Sequence, residues 1–173
     1  VGMTIMGILG WNTFQRNGLE FRSAAKGIGH DFSFARNYIE SCTPITHVKG
    51  DDWCHLSKAG TDPEYLLVGD SHANAFSTVM GGWLESGFVQ LGRGECPGLI
   101  NYGRPECVEI ARIAHDYAKR PYIHTVILAS RWPIYFNGFS RDRHANDQFD
   151  FLSSLKVTID AYRNIGKKVI FVY

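Results

Sequence analysis

The sequence predicts an α/β domain in which a parallel sheet carries helices on both faces. From Tyr65 onward short apolar runs alternate with longer amphipathic stretches, and Leu66-Leu67-Val68 passes through Gly69-Asp70-Ser71 straight into a helical pattern. Short apolar runs bounded by turn residues are strands buried on both faces, and strands that alternate with helices build βαβ units. A further observation is the set Leu152, Leu155, Ile159 and Tyr162, spaced by three and four residues ahead of Gly166. That is an amphipathic helix closed by a C-terminal glycine cap, and its apolar stripe is core rather than a ligand surface.

In chain order, residues 1–16 read as the end of a transmembrane or apolar helix. Val1–Trp11 is shorter than the about twenty residues a span needs, and neither a basic leader nor a small-residue cleavage site accompanies it. Continued upstream of Val1 it would be a span emerging near Trp11, a residue favoured at membrane interfaces; taken alone it is a short core helix. Residues 17–60 show little periodicity and read as a loop-rich connector holding Cys42 and Cys54, with one short helix near Phe34–Glu40. Residues 61–173 then give a strand at Tyr65–Val68, a helix at His72–Ser86, a strand at Phe88–Leu91 and a helix at Cys107–Lys119. A strand at His124–Ala129, a helix at Asp147–Asn164 and a strand at Lys168–Tyr173 complete the pattern. The strand ends of such a sheet open on one edge, so Ser71, the segment after Leu91 and the segment after Ala129 converge there.

Composition narrows the function classes. The 173 residues are 45% hydrophobic and 20% charged, which is one globular unit. A net charge of +1 with scattered Lys and Arg gives no electrostatic case for nucleic acid. No phosphate-cradling G-x-x-x-x-G-K-[ST] loop and no dinucleotide fingerprint follows any strand, so neither a nucleotide cofactor nor a metal is implied. The cysteines form two local pairs, Cys42 with Cys54 and Cys96 with Cys107, neither with the C-x2-C spacing usual for zinc. Disulfides fit this better than free thiols, although four cysteines allow three connectivities; each bridge would add roughly 3 kcal/mol and would imply an oxidising compartment.

Ser71 is the candidate nucleophile. At the carboxyl end of a strand, a helix that follows aims its N–H groups and positive dipole end at any anion formed there. Gly, Asp and Ser are equally ordinary turn and N-cap residues, so the tripeptide needs its strand-to-helix setting to carry weight. A serine needs a base, and His72, as its immediate neighbour, diverges from it and shapes the pocket or caps the helix instead. His30, His47, His55, His115, His124 and His144 stand in no Asp-x-x-His arrangement.

Gly69-Asp70-Ser71-His72-Ala73 is similar to the first block of the SGNH (GDSL) hydrolases, in the version found at the C-terminus of membrane-bound acyltransferase-3 proteins. The resemblance runs through Gly18 and Arg22 after the apolar end, the pair Cys42 and Cys54, Cys96-Pro97 with Cys107, and Val126-Ile127-Leu128-Ala129-Ser130-Arg131-Trp132. It implies a flavodoxin-like three-layer α/β/α SGNH-hydrolase fold, incomplete at the C-terminus. It also implies a periplasmic domain at the bacterial inner membrane, held there by sequence upstream of Val1. Such a domain would pass an acyl group, commonly acetyl, to a sugar hydroxyl of lipopolysaccharide O-antigen or a similar glycan, with the donor delivered by an N-terminal membrane acyltransferase domain.

By the same resemblance Ser71 is the nucleophile, its backbone N–H one oxyanion donor, and Asp70 the residue that holds the turn. The second donor would come from the loop after the second strand, Gly94 in preference to Gly92, although plain turn glycines account for either. Where the ordinary family pattern has an asparagine as third donor, this chain has Ser130-Arg131-Trp132. Arg131 would stabilise the anion or bind sugar and Trp132 would stack on a pyranose, unless the two are an edge-packing pair; His72 and Asn74 would join them in binding substrate. The family's closing Asp-x-x-His block would lie after a further segment beyond Tyr173. The rival functions are a carbohydrate esterase or deacetylase with the same nucleophile, and a non-catalytic glycan-binding module, suggested by the missing base and by Trp132, Tyr135 and Phe136 beside the site.

Overall fold

The computed structural model describes residues 11–12, 52–57, 62–80, 84, 86–136 and 151–173. Backbone contacts divide the chain into two units, Val1–Phe34 and Ala35–Tyr173. In the first, Trp11 and Asn12 are helical; the expectations for the rest of residues 1–16, for Gly18 and Arg22, for a helix near Phe34–Glu40 and for Cys42 lie outside the described residues. No helix among the described residues is long and apolar enough to cross a membrane.

The second unit holds strands β1 (Asp52–Leu56), β2 (Tyr65–Gly69), β3 (Phe88–Arg93), β4 (Thr125–Ala129) and β5 (Lys168–Val172) in one sheet ordered β1-β3-β2-β4-β5. Its helices are α1 (Ser71–Met80), α2 (Pro105–Ala118), α3 (Trp132–Phe136) and α4 (Phe151–Asn164). β2 runs parallel to β3 and β4, and β4 parallel to β5, as the strand-helix alternation predicts. The sheet is nonetheless mixed, because β1 lies antiparallel to β3, with Asp52 opposite Arg93 and Leu56 opposite Val89. This corrects the purely parallel sheet and puts a strand in the stretch read as loop-rich. Asp-Trp-Cys-His-Leu carries no apolar alternation; an edge strand forms on an existing sheet edge with little propensity of its own.

β2, β3 and β4 are buried almost throughout because helices cover both of their faces. On one face Leu66, Val68, Leu91 and Leu128 pack with Tyr117 of α2 and Tyr162 of α4; on the other, Leu67, Phe88 and Ile127 pack with Ala73 and Met80 of α1. α1 is described over Ser71–Met80, and the Leu84 N–H bonds the Met80 carbonyl; the rest of the expected helix to Ser86 lies largely outside the described residues. α2 begins with Pro105 at a position where the missing N–H loses no helical bond. β3 runs on through Arg93, so Gly92 is a strand residue rather than part of the loop.

α4 shows how hydropathy alone misplaces a stripe. Its buried line is Phe151, Ser154, Thr158 and Tyr162, Leu155 and Ile159 are partly buried, and Leu152 is 57% exposed. Thr158 Oγ1 donates to the Ser154 carbonyl at 2.7 Å and accepts the Ile100 N–H at 3.0 Å, so a polar side chain sits in the core fully bonded. The expected cap is present: Gly166 has φ +77°, its N–H bonds the Arg163 carbonyl, and the Lys167 N–H bonds the Tyr162 carbonyl.

Candidate active site at the carboxyl edge of the sheet

The chain leaves β2 for β3 on one side, and β3 leads to β4 on the other side of β2. The connections therefore diverge at the carboxyl end of β2, where a crevice forms in an open α/β sheet. Gly69 pairs in register with Gly92 of β3 and Ala129 of β4. Ser71, Gly94 and Arg131 each stand two residues beyond that row, so register brings the three expected segments to one edge.

Glycine makes the row close enough to work. A Cβ on Gly69, whose φ is +153°, would fall 1.8 Å from the Ala129 carbonyl oxygen, and one on Gly92 would fall 2.1 Å from the Gly69 carbonyl oxygen. Gly98, in the Cys96-Pro97-Gly98 loop, has φ +73° and would drive a Cβ to 2.6 Å from Val68 Cγ1. Three backbone segments thus pack against the end of β2 with no side chain between them.

Asp70 lies in this packing at 1% exposure. Its Oδ1 accepts the His72 N–H at 2.8 Å; its Oδ2 accepts the Arg131 N–H at 3.0 Å and the Tyr135 hydroxyl at 2.7 Å. Its own N–H donates to Ser130 Oγ at 3.2 Å, and that hydroxyl donates onward to the Pro97 carbonyl at 3.3 Å. A buried carboxylate with three donors is held firmly, so Asp70 fixes both the turn after β2 and the segment after β4.

On that support Ser71 is the first residue of the ten-residue helix α1, and its side chain is exposed. The N-terminal end of α1 favours negative charge next to it. His72 is solvent-facing, with its side chain 57% exposed and Nδ1 3.6 Å from Asp70 Oδ1; its backbone N–H is capped by the Asp70 carboxylate, so Asp70 and not His72 caps the helix. Asn74 is half-buried; its N–H bonds the Asp70 carbonyl and its carbonyl accepts the Ser77 hydroxyl. Arg131 is exposed, with its backbone anchored on Asp70. Gly94 lies in the turn after β3, where a Cβ would meet only the Trp53 ring, at 4.0 Å.

Trp132 is not a sugar platform. It is 3% exposed, its ring stacks on Phe171 at 4.4 Å, and its Nε1 donates to the Val172 carbonyl at 2.6 Å. An aromatic beside a site reads alike in sequence whether it faces solvent or the core; here α3 turns it under β5. Cys96 and Cys107 form a disulfide, which ties the Cys-Pro-Gly loop to the first turn of α2. Cys54 is also disulfide-bonded, and its partner lies outside the described residues.

A family model described as SGNH domain (fused to AT3 domains) matches residues 41–173. The chain belongs to this family. No curated protein and no solved structure compared with the chain matches it. The SGNH domain is thus a module associated with acyltransferase-3 domains, in a family of hydrolases and acyltransferases, and its mostly parallel sheet suits an SGNH hydrolase-like fold. The match takes in β1 and both Cys42 and Cys54. Sequence reasoning placed Ser130 in a family block without a role and used Tyr135 only as an aromatic neighbour; both prove to be partners of Asp70. The signal available for either was position alone, Ser130 directly after β4 and Tyr135 six residues past its last strand residue.

Proposed function

We propose that this SGNH domain transfers an acyl group, acetyl in the simplest case, through an acyl-serine on Ser71 to a sugar hydroxyl of lipopolysaccharide O-antigen or a related cell-surface glycan. The observation that carries the reading is the exposed Ser71 side chain at the start of α1, braced by the buried Asp70. The family's fusion to acyltransferase-3 domains supports transfer as the outcome.

In the proposed sequence Ser71 Oγ attacks the acyl carbonyl and gives its proton to a base. The oxyanion collapses, the bond to the donor's leaving group breaks, and that group takes the proton, leaving acyl-serine. A sugar hydroxyl then attacks the same carbonyl, loses its proton to the base, and Ser71 departs and is reprotonated. The Ser71 and Gly94 N–H groups serve the oxyanion, with the Arg131 guanidinium in place of the family's asparagine. His72 and Asn74 line the acceptor side. The base is assigned to the Asp-x-x-His pair that the family resemblance places beyond Tyr173, and the donor to the acyltransferase-3 domain. The Cys96–Cys107 disulfide supports an oxidising compartment, the periplasmic face of the inner membrane.

A glycan-binding module loses two of its three aromatics, because Trp132 and Tyr135 are core residues, 3% and 2% exposed, and only Phe136 faces solvent. An esterase shares every group named, so the deciding assay uses the protein with its acyltransferase-3 domain and compares acetyl delivered to glycan with acetate released to water. Ser71→Ala should lower transfer by at least about 10³-fold. Transfer that survives in Ser71→Ala removes the acyl-serine; acetate released with no acylated glycan makes the domain an esterase.

A further inference from the structure

We infer that Tyr135 is a positioning residue that acts through Asp70 to fix the distance between the nucleophile turn and Arg131; the inference rests on the acyl-serine reading of Ser71. Two of the groups on the Asp70 carboxylate are backbone N–H donors, His72 on the nucleophile side and Arg131 on the β4 side. The third is the Tyr135 hydroxyl, a side-chain donor that shares Oδ2 with Arg131, at 2.7 Å. Asp70 is therefore a clamp with Oδ1 on the nucleophile turn and Oδ2 on the segment after β4, and Tyr135 loads the oxygen on the Arg131 side.

Tyr135 is itself rigidly placed. It is 2% exposed, so water does not substitute for its hydroxyl, and its carbonyl accepts the Tyr102 hydroxyl at 3.1 Å while the two rings meet edge to face. It sits on α3, whose Trp132 is bonded to the Val172 carbonyl of β5. The phenol thus carries the position of the β5 and α4 core to the carboxylate beneath Ser71. A hydroxyl buried among apolar rings needs an acceptor; spending it on the one carboxylate that bridges nucleophile and Arg131 is what a packing role alone does not require. Displacements of about 1 Å at a reacting centre cost on the order of 10²-fold in rate.

The test uses the protein with its acyltransferase-3 domain, 4-nitrophenyl acetate as the acyl-donor probe, and thermal melts of every variant. Tyr135→Phe keeps the ring and removes the hydroxyl; it should lower kcat by about 10- to 100-fold with KM changed less than about 3-fold. Tyr162→Phe removes a buried phenol hydroxyl that bonds neither Asp70 nor Tyr135 and should leave kcat within about 2-fold of the parent. In an Asp70→Asn background Tyr135→Phe should add little further loss, since both act on one interaction. Parental kcat in Tyr135→Phe overturns the inference, as does a loss equal in both backgrounds or equal in Tyr162→Phe. Should Tyr135→Phe fail to fold, Asp70→Asn decides: reduced kcat at unchanged KM supports the clamp and parental kcat overturns it. Ser71→Ala separates the two levels. If it stays active the acyl-serine reading has failed and this inference with it; if it is dead while Tyr135→Phe matches the parent, only the positioning role has failed.

Discussion

Gly92 and Gly69 are register partners on β3 and β2, so closely apposed that a Cβ on Gly92 would lie 2.1 Å from the Gly69 carbonyl oxygen. The obstructing atom is backbone, so no rotamer change relieves the overlap. Gly92→Ala should therefore destabilise the domain by about 1–3 kcal/mol and disturb the Ser71 turn. Gly94→Ala, whose new methyl would meet only the Trp53 ring at 4.0 Å, should stay within about 0.5 kcal/mol of the parent. Urea melts of the two variants check this; equal stability would mean that the sheet end is looser than its packing implies.

Arg131 and Trp132 are adjacent in sequence and opposite in role. Trp132→Ala removes a buried ring stacked on Phe171 and leaves the Val172 carbonyl without its indole donor, so it should cost about 3–5 kcal/mol. Arg131→Ala removes an exposed side chain and keeps the backbone N–H that holds Asp70, so it should cost less than about 0.5 kcal/mol. If Arg131 serves the oxyanion, the same variant should lower acyl transfer by about 10²-fold or more. Denaturation and transfer assays on both variants separate core from site.

The Cys96–Cys107 bond closes a loop of sequence separation 11 and holds a segment that touches the site through two residues: Pro97, whose carbonyl takes the Ser130 hydroxyl, and Gly98, against Val68. Replacing both cysteines with alanine should lower stability by roughly 2–3 kcal/mol. The loss should reach the site, because Ser130 Oγ also accepts the Asp70 N–H. Hydrogen exchange at Asp70 and Ser71 should quicken in the double variant; protection unchanged there would confine the bridge to a local role.

The parts legible in the sequence were those that local pattern controls. Alternating strand and helix, the switch at Ser71 and the Gly166 cap all rest on residues close in the chain, whereas the sequence left three cysteine connectivities open and the structure selects Cys96 with Cys107. What escaped depends on partners far away. β1 exists because β3 offers it an edge, and α3 is a short helix set by the docking of Trp132 under β5. Asp70 meets Ser130, Arg131 and Tyr135 across sixty or more positions, a relation no window of sequence contains. Leu152 shows the converse failure: apolar and correctly spaced, it lies outside the core because Ser154 and Thr158 hold the inner line by hydrogen bonds.

His55 gives the domain a predictable response to pH. On β1 it faces Gln90 of β3, Nδ1 to Oε1 3.0 Å, and the residue is 9% exposed; burial holds its pKa below the ordinary value of 6.5, against the opposing effect of the glutamine bond. The unfolded chain, with His55 near 6.5, binds more protons than the folded one as pH falls, so acid favours unfolding. The contribution of His55 is thus complete above about pH 6.5, shrinks as pH falls from there to the lower folded value, and is constant below it. The quantity to measure is the stability difference between the parent and His55→Gln in urea melts from pH 5 to 8, which removes the shared titration of the carboxylates. That difference should move against the parent as pH drops below about 6.5; a difference flat across the range would mean that the ring takes up its proton as readily in the fold as outside it.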